Sequence, residues 1–442
     1  MYNNHVQWTG DANMEIFTVE EVAEKTKKSV KTIRRQIAEG SLKATKINNR
    51  YRINSEDYKE WYDKYTNGIC NESIFDDVDY VNQDSKIINY TDISKMWKRD
   101  GWNNPKQRNG YNFIDLFSGA GGLSCGLVMA GWTPIGSVEI MEQAVSTYKY
   151  NFVDKKGFEE NVETQDIRES DVKRHLYDSV WGKNIDLIVG GFPCQGFSMA
   201  GNRIVTDKRN TLYLDMLEIV DHLRPKVVVM ENVPGLRSML GGKVEEKIIN
   251  DFENIGYKIN VTVLNAADYY TPQTRKRVIF IGNRIGVDNY HPKPILTPDK
   301  YVTTKEAIED LMAHKEDPLF NHVPTTHSKE MQKKLSNVKE GESLYKNYSD
   351  SWKKCPWDKP SCTVKENHGG VNIHPKLPRV LTAREMARLQ SFPDDFVFQG
   401  SKKWQLTQIG NAVPCYLGKA IGLSVEKMLK EEKNDTEEGK ED

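Results

Sequence analysis

Short apolar runs alternate with helical stretches from about residue 111 to residue 286. The runs cover residues 113–117, 135–138, 185–189, 226–230 and 278–281. Apolar runs of this length between amphipathic stretches predict buried strands of an α/β sheet. After about Gly286 the pattern degrades into a loop-rich, charge-balanced region up to about Pro375, and then order returns. Residues 15–65 have helical periodicity and form a separate unit. Residues 66–108, rich in Asn, Asp and Tyr, are expected to be a linker with one short helix. A mixed-charge tail at 431–442 is expected to be disordered.

The N-terminal unit opens with Thr18 as helix N-cap and Glu21 three residues on, a capping box. Ser29 is placed to cap a second helix. Residues 42–53 then alternate as a hairpin with Asn48-Asn49 at its turn, and residues 55–65 close the unit as a helix. Helix, turn, helix, hairpin is a winged helix-turn-helix plan. Ten Lys/Arg and one acid, Glu39, lie between Lys25 and Arg52. That density favours a phosphate backbone over the alternative of a basic protein-interaction module. The segment resembles the excisionase and MerR-like helix-turn-helix family through "FTVEEVAEKTKKSVKTIRRQIAEGSLKATKINNRYRI". Lys31, Arg34 and Arg35 would face a DNA groove, and Arg50 and Arg52 would lie on the wing.

Composition narrows the rest. The 442 residues exceed what one core usually serves, so two or three domains are expected. Net charge is −1, so nucleic-acid binding must rest on local patches. The six cysteines contain no C-x-x-C pair, which argues against a disulfide framework and a zinc site. Neither a secretion signal nor a membrane-length apolar run is visible, and a cytoplasmic protein is expected. His314, His322 and His327 lack companions at metal-ligand spacing. They are read as loop or DNA-contact residues, and no metal is expected.

Candidate chemistry gathers at the ends of the apolar runs. Ser118-Gly119-Ala120-Gly121-Gly122 follows the first run, where glycines let backbone approach a ligand. Glu139 ends the next run and could accept hydrogen bonds from ribose hydroxyls. Asp166 could end a third strand and accept from an adenine amine. These positions point to an adenosine cofactor but leave NAD and S-adenosylmethionine unseparated. Cys194 lies just past the next run, after Pro193, where a thiolate is a nucleophile. Glu231 ends a buried strand, and a carboxylate there is costly unless used or paired. Arg275 and Arg277 add permanent charge before another run. Thiol, carboxyl and arginine in one cleft suit attack on an electron-poor heterocycle.

These residues, in this order, resemble the bacterial DNA (cytosine-5)-methyltransferases. The motifs are "DLFSGAGGL", "FPCQGFS", "ENVPG", "PQTRKRV", "RVLTAREMARLQSFPDDF" and "QIGNAVP". The resemblance implies a Rossmann-like α/β large lobe at 109–285, completed by 405–430, and a smaller target-recognition lobe at 286–404. It implies S-adenosylmethionine as cofactor, with Phe117, Gly119, Gly121, Glu139, Ile140, Asp166, Ile167, Pro193, Leu212 and Asn411 forming its site. Cys194 would add to C6 of a flipped-out cytosine, Glu231 would hold N3 and the amine, and Arg277, with Arg275 close by, would hold O2 and the thiolate. Residues 197–211, with Ser198 and Arg209, would close over duplex DNA. The catalytic unit would be monomeric; the chain's own promoter is an expected partner, as is a cognate restriction endonuclease that forms no stable complex with it. A DNA-binding regulator with an idle methyltransferase fold is the competing reading. RNA methylation and nicotinamide oxidoreduction explain fewer of these residues.

Overall fold

Side chains of the central strands alternate between two apolar layers. Leu187 and Val189 pack into one layer and Ile188 into the other; Val227 and Val229 oppose Val228 and Met230 in the same way. This period of two on a strand buried on both sides is what continuous apolar runs encode. A computed structural model describes residues 16–26, 30–38, 40, 42–47, 50–68, 89–193, 212–345, 352–365 and 371–438. Cys194, Ser198 and Arg209 lie outside the described residues, as do the side chains of Lys31, Arg35 and Arg50. The chain divides into two compact units, 1–78 and 79–442.

In the first unit, β1 (Ile16–Thr18), α1 (Val19–Lys25), α2 (Val30–Ala38), β2 (Thr45–Ile47), β3 (Arg50–Asn54) and α3 (Ser55–Gly68) follow one another. The sheet order is β1-β3-β2, antiparallel throughout. The sequence pattern misses β1, which is only three residues long and runs straight into the Thr18 cap. That capping box is present: Glu21 N donates to Thr18 Oγ1 at 3.2 Å and Thr18 N to Glu21 Oε2 at 2.7 Å. Val22, Ile33, Leu42, Ile53 and Trp61 form the core.

The second unit is built on β4 (Asn89–Thr91), β5 (Asn112–Leu116), α4 (Gly122–Met129), β6 (Thr133–Val138), α5 (Glu142–Tyr148), β7 (Asn161–Glu163), α6 (Ser170–Ser179), β8 (Leu187–Gly190), α7 (Leu212–Leu223), β9 (Val227–Asn232) and α8 (Lys243–Asn254). It continues with β10 (Lys258–Asn265), β11 (Lys276–Asn283), β12 (Tyr290–Pro292), α9 (Thr304–Ile308), α10 (Lys329–Asn337), α11 (Ala383–Leu389), α12 (Lys402–Asn411) and α13 (Cys415–Glu438). Seven strands form one sheet in the order β10-β11-β9-β8-β5-β6-β7. Among the described residues only β11 runs against the others. The strand order reverses between β5 and β8, and ligands of open α/β sheets bind at such a point.

Three expectations need correction. Residues 89–108 are not linker: β4 pairs in parallel with β12, and Ile93 and Trp102 are fully buried. Trp102 Nε1 also donates to Asp395 Oδ1 at 2.8 Å. The apolar positions here are too sparse to show periodicity, so the polar composition hid them. The 431–442 tail is not disordered up to Glu438, because α13 runs to that residue. Glu426, buried in α13, is held by Arg99, by Asn109 Nδ2 at 3.1 Å and by Lys430 at 2.7 Å. Lys226 then pairs with Glu432 at 2.7 Å. The third narrows the loop-or-DNA-contact reading of His322, which lies in a loop, is buried and faces Thr382 Oγ1 at 3.1 Å.

Candidate active site

The turn after β5 is shaped by backbone geometry. Phe117 has φ 61°, a strained region for a non-glycine residue, and Gly121 has φ 89°. A side chain at Gly121 would meet the Phe152 ring at 2.5 Å. The turn thus brings Gly119 N to Glu139 Oε2 at 2.8 Å, while Met141 N donates to Glu139 Oε1 at 2.7 Å. Burial pushes the Glu139 carboxyl above its ordinary range, against the amides of Met141 and Gly119. A carboxylate keeps acceptor capacity beyond two bonds, so hydroxyl donors still fit. Ile140 beside it is 64% exposed, and Ser118 Oγ is buried without a hydrogen-bond partner. An exposed apolar side chain beside a carboxylate at the mouth of the switch point fits an adenosine-bearing group.

The remaining cofactor candidates differ in what they offer. Pro193 is exposed at the exit of β8, and Leu212, half-buried, starts α7. Asn411 ends α12 and is exposed. Its neighbour Val413 comes so close to the turn that a Cβ on Gly122 would stand 2.4 Å from the Val413 carbonyl. The chain end therefore does return to the glycine turn, as the sequence predicts. Asp166 does not end a strand. It lies past β7 in a loop, where Arg168 Nε donates to its Oδ1 at 2.9 Å, and that bond holds its carboxyl below the usual range. Ile167 is buried and packs into the apolar layer.

On β9 and β11, Glu231 and Arg277 form an ion pair at 2.9 Å, with side chains 13% and 9% exposed. Sheet register explains the pairing. Glu231 lies opposite Ile279, so Arg277, two residues along the reversed strand, is its diagonal neighbour on the same face. Glu231 Oε2 would be 3.1 Å from a Cβ on Gly191. Asn232 Nδ2 donates to the Phe192 carbonyl at 2.8 Å, fixing the segment that leads to Cys194. Arg275 has carbonyl partners. Its guanidinium donates to the carbonyls of Val364 (2.7 Å) and Gly410 (3.0 Å), which makes it a brace between distant segments.

Sequence reasoning misses the polar hubs behind the site. Gln273 is fully buried; its Nε2 donates to Gln390 Oε1 at 2.7 Å, and its Oε1 accepts from Val364 N at 2.8 Å. Gln390 Nε2 in turn donates to the carbonyls of Ile409 (2.8 Å) and Ala412 (3.1 Å). Arg384, also fully buried, donates to the carbonyls of Phe320, Pro393 and Phe396. The only sequence signal is their place inside motif-like runs. In the N-terminal unit, Arg34 is exposed and pairs with Glu20 at 3.4 Å, while Arg52 is half-buried and donates to the Tyr51 carbonyl.

No helix among the described residues is long and apolar enough to cross a membrane, and no metal-binding cluster occurs among them. Residues 111–427 match the family of C-5 cytosine-specific DNA methylases, and residues 16–65 match a helix-turn-helix domain. A type II methyltransferase of Haemophilus parahaemolyticus, M1.HphI, is 40% identical over 72% of this chain and 87% of its own length. M.DdeI of Desulfomicrobium norvegicum is 35% identical over 70% of this chain and 87% of its own. Among solved structures, a prophage-encoded protein of E. coli described as a DNA modification methyltransferase superposes with a TM-score of 0.59 at 28% identity, covering 73% of this chain and all of that one. The methyl donor of the family is S-adenosylmethionine, and its substrate is duplex DNA. With its sheet order and these relatives in agreement, the chain belongs to the C-5 cytosine-specific DNA methylases and is a DNA (cytosine-5-)-methyltransferase of the type II restriction-modification kind.

Proposed function

We propose that the enzyme methylates a flipped-out cytosine through a covalent adduct between Cys194 and C6. The observation that carries this reading is the buried Glu231–Arg277 pair over Gly191, three residues before Cys194. Cytosine C5 and C6 cannot be reached inside a stacked duplex, so the base must leave it. The Cys194 thiolate adds to C6, which makes C5 nucleophilic. Glu231 hydrogen-bonds N3 and the exocyclic amine, and Arg277 holds O2 and the thiolate. C5 takes the methyl group, its proton is lost, and the C6–S bond breaks to release Cys194. Bound S-adenosylmethionine supplies an electrophilic methyl group. Phe117, Gly119 and Gly121 would line its pocket, Glu139 would hold its ribose, Ile140, Asp166 and Ile167 would hold its adenine, and Pro193, Leu212 and Asn411 would complete the site. Ser198 and Arg209 would contact the DNA as residues 197–211 close. Arg275 acts through the brace it forms and not on the base.

The test is methyl transfer from radiolabelled S-adenosylmethionine to duplex DNA, with wild type beside Cys194→Ala. Transfer to cytosine C5 should vanish in the variant, and a 5-fluorocytosine duplex should trap the wild type covalently. Transfer that survives Cys194→Ala would falsify the adduct.

The N-terminal unit supports a further role in the same cytoplasmic enzyme: binding DNA through Lys31, Arg34, Arg35, Arg50 and Arg52, including the promoter of its own operon beside a cognate endonuclease. The support is the basic stretch on a helix-turn-helix frame. Replacing Lys31, Arg34 and Arg35 together by Ala in the full chain should abolish promoter-fragment binding. Methylation of short duplexes should persist; if it disappears too, the unit serves catalysis instead.

A further inference from the structure

Two pairs of thiols occur among the described residues. Cys125 and Cys415 are both fully buried, and burial together with the Cys415 contact pushes the Cys125 thiol well above its usual range. Cys355 and Cys362 differ. Their Sγ atoms stand 3.9 Å apart, Cys355 fully buried and Cys362 only half-buried. Asn372 Nδ2 donates to Cys362 Sγ at 3.1 Å. The hydrogen bond from Cys355 holds the Cys362 thiol below its usual range against burial, with help from the Lys353 charge and Asn372. The same bond and burial push Cys355 up. A half-buried cysteine and a fully buried one thus face each other sulfur to sulfur at 3.9 Å, a geometry that suits a reactive cysteine and its resolving partner.

We propose that Cys355 and Cys362 form a modification site, converted reversibly by peroxide into an intrachain disulfide that slows methylation. The Cys362 thiolate attacks one oxygen of hydrogen peroxide; the O–O bond breaks, and hydroxide leaves with the thiol's proton as water. Cys355 then attacks the resulting sulfenic sulfur. The S–S bond forms, the S–O bond breaks, and a second water leaves with the Cys355 proton. Two thiols are oxidised and one peroxide is reduced.

The bond requires the sulfurs to approach to about 2 Å, so the separation of 3.9 Å must close. Cys355 is tied to its neighbour by its N–H to the Ile373 carbonyl at 3.1 Å. Cys362 sits in a strap laid along residues 272–275. Thr274 N donates to the Ser361 carbonyl at 2.9 Å, Ser361 N to the Pro272 carbonyl at 3.0 Å, and Thr363 Oγ1 to the Thr274 carbonyl at 2.9 Å. Closing the disulfide pulls on that strap, two residues or so ahead of Arg277. The effect on rate rests on the role proposed for Arg277; the disulfide itself does not.

The experiment treats the full-length enzyme with hydrogen peroxide and maps its peptides without reduction. The expected product is a cross-linked 355–362 species, lighter by two hydrogens and lost on adding dithiothreitol, with Cys125 and Cys415 still reduced. It should form equally in Cys194→Ala, where the proposed nucleophile is absent. If Cys355 and Cys362 stay thiols, or Cys362 advances to sulfinic acid beside an intact Cys355, the site is overturned. For the rate, peroxide-treated wild type is compared with peroxide-treated Cys362→Ser of matched thermal stability. A several-fold larger, dithiothreitol-reversible loss in wild type is expected. Equal losses, with the disulfide present, overturn the coupling to Arg277 alone.

Discussion

Glu139 and Glu231 stand at the carboxyl ends of two buried strands of one sheet, yet they are held in opposite ways. Glu139 accepts from the backbone amides of Gly119 and Met141, neutral donors fixed by a turn. Glu231 accepts from Arg277, a full charge carried by the one reversed strand of the sheet. A carboxylate held by amides keeps its net charge for the hydroxyl donors of a ligand. A carboxylate held by a guanidinium forms part of an ion pair, so its charge is balanced before substrate arrives. The first arrangement suits holding a cofactor; the second suits orienting two groups on one base. Local sequence builds the first, whereas the second needs sheet register across residues 231 and 277.

Breaking the pair should give the larger effect. Arg277→Met leaves Glu231 largely buried without its cation, and removing one partner of such a pair costs about 3 kcal/mol or more. Turnover on duplex DNA should fall by about 10²–10³-fold, the range for removing one preorganised electrostatic donor. Binding of S-adenosylhomocysteine, measured by calorimetry, should be nearly unchanged. A parallel collapse of both would mean that the two carboxylates do not act separately. Glu139→Gln should show the reverse. Losing charge-assisted hydrogen bonds weakens cofactor-product binding by about 1.5–3 kcal/mol, roughly ten- to a hundredfold. Turnover at saturating cofactor should stay close to wild type.

Legibility in the sequence follows the same division. The five apolar runs correspond to strands, because burial on both faces leaves a continuous apolar trace. Strand β10 has a mixed burial pattern at the sheet edge and left no such run. The direction of β11 is invisible for another reason: a buried strand reads alike in either sense. The glycine turn and Glu139 could be read from local spacing. The Glu231–Arg277 contact could only be inferred by resemblance, since 46 positions separate the partners. Asp166 and Arg275 show the limit. Their residue types suggest ligand contacts but do not announce the partners that the structure gives them, Arg168 for Asp166 and two carbonyls for Arg275.

A smaller change sharpens the comparison from the Glu231 side. A Cβ on Gly191 would stand 3.1 Å from Glu231 Oε2, tight enough to displace the carboxylate by a few tenths of an ångström. Gly191→Ala should therefore lower turnover by roughly several-fold, as small misplacements at reacting groups do. Its affinity for S-adenosylhomocysteine should match wild type. If that affinity falls while turnover holds, residue 191 belongs to the cofactor end.

The smallest effect is one of pH and lies beneath the Glu139 end. Ser124 Oγ donates to Asp115 Oδ2 at 2.5 Å, and the Tyr148 hydroxyl joins Ser124 Oγ (3.0 Å) to Glu160 Oε1 (2.9 Å). Burial raises Asp115 from 3.8 to about 7 and Glu160 from 4.5 to about 8. Glu139 on the next strand adds to the rise at Asp115, which ties the network to that carboxylate. Between the unfolded and folded values the native state binds more protons than the unfolded chain. These groups therefore contribute full stability below about pH 4, and that contribution is lost as pH rises towards 7 or 8. Asp115→Asn keeps an acceptor for Ser124 but removes one titration. Its melting temperature should fall less than that of wild type between about pH 5 and about pH 8. The difference between the two curves isolates Asp115 from other titrating groups. Coincident slopes would mean that Asp115 is already ionised in the folded enzyme, and that the Glu139 end tolerates a second buried charge.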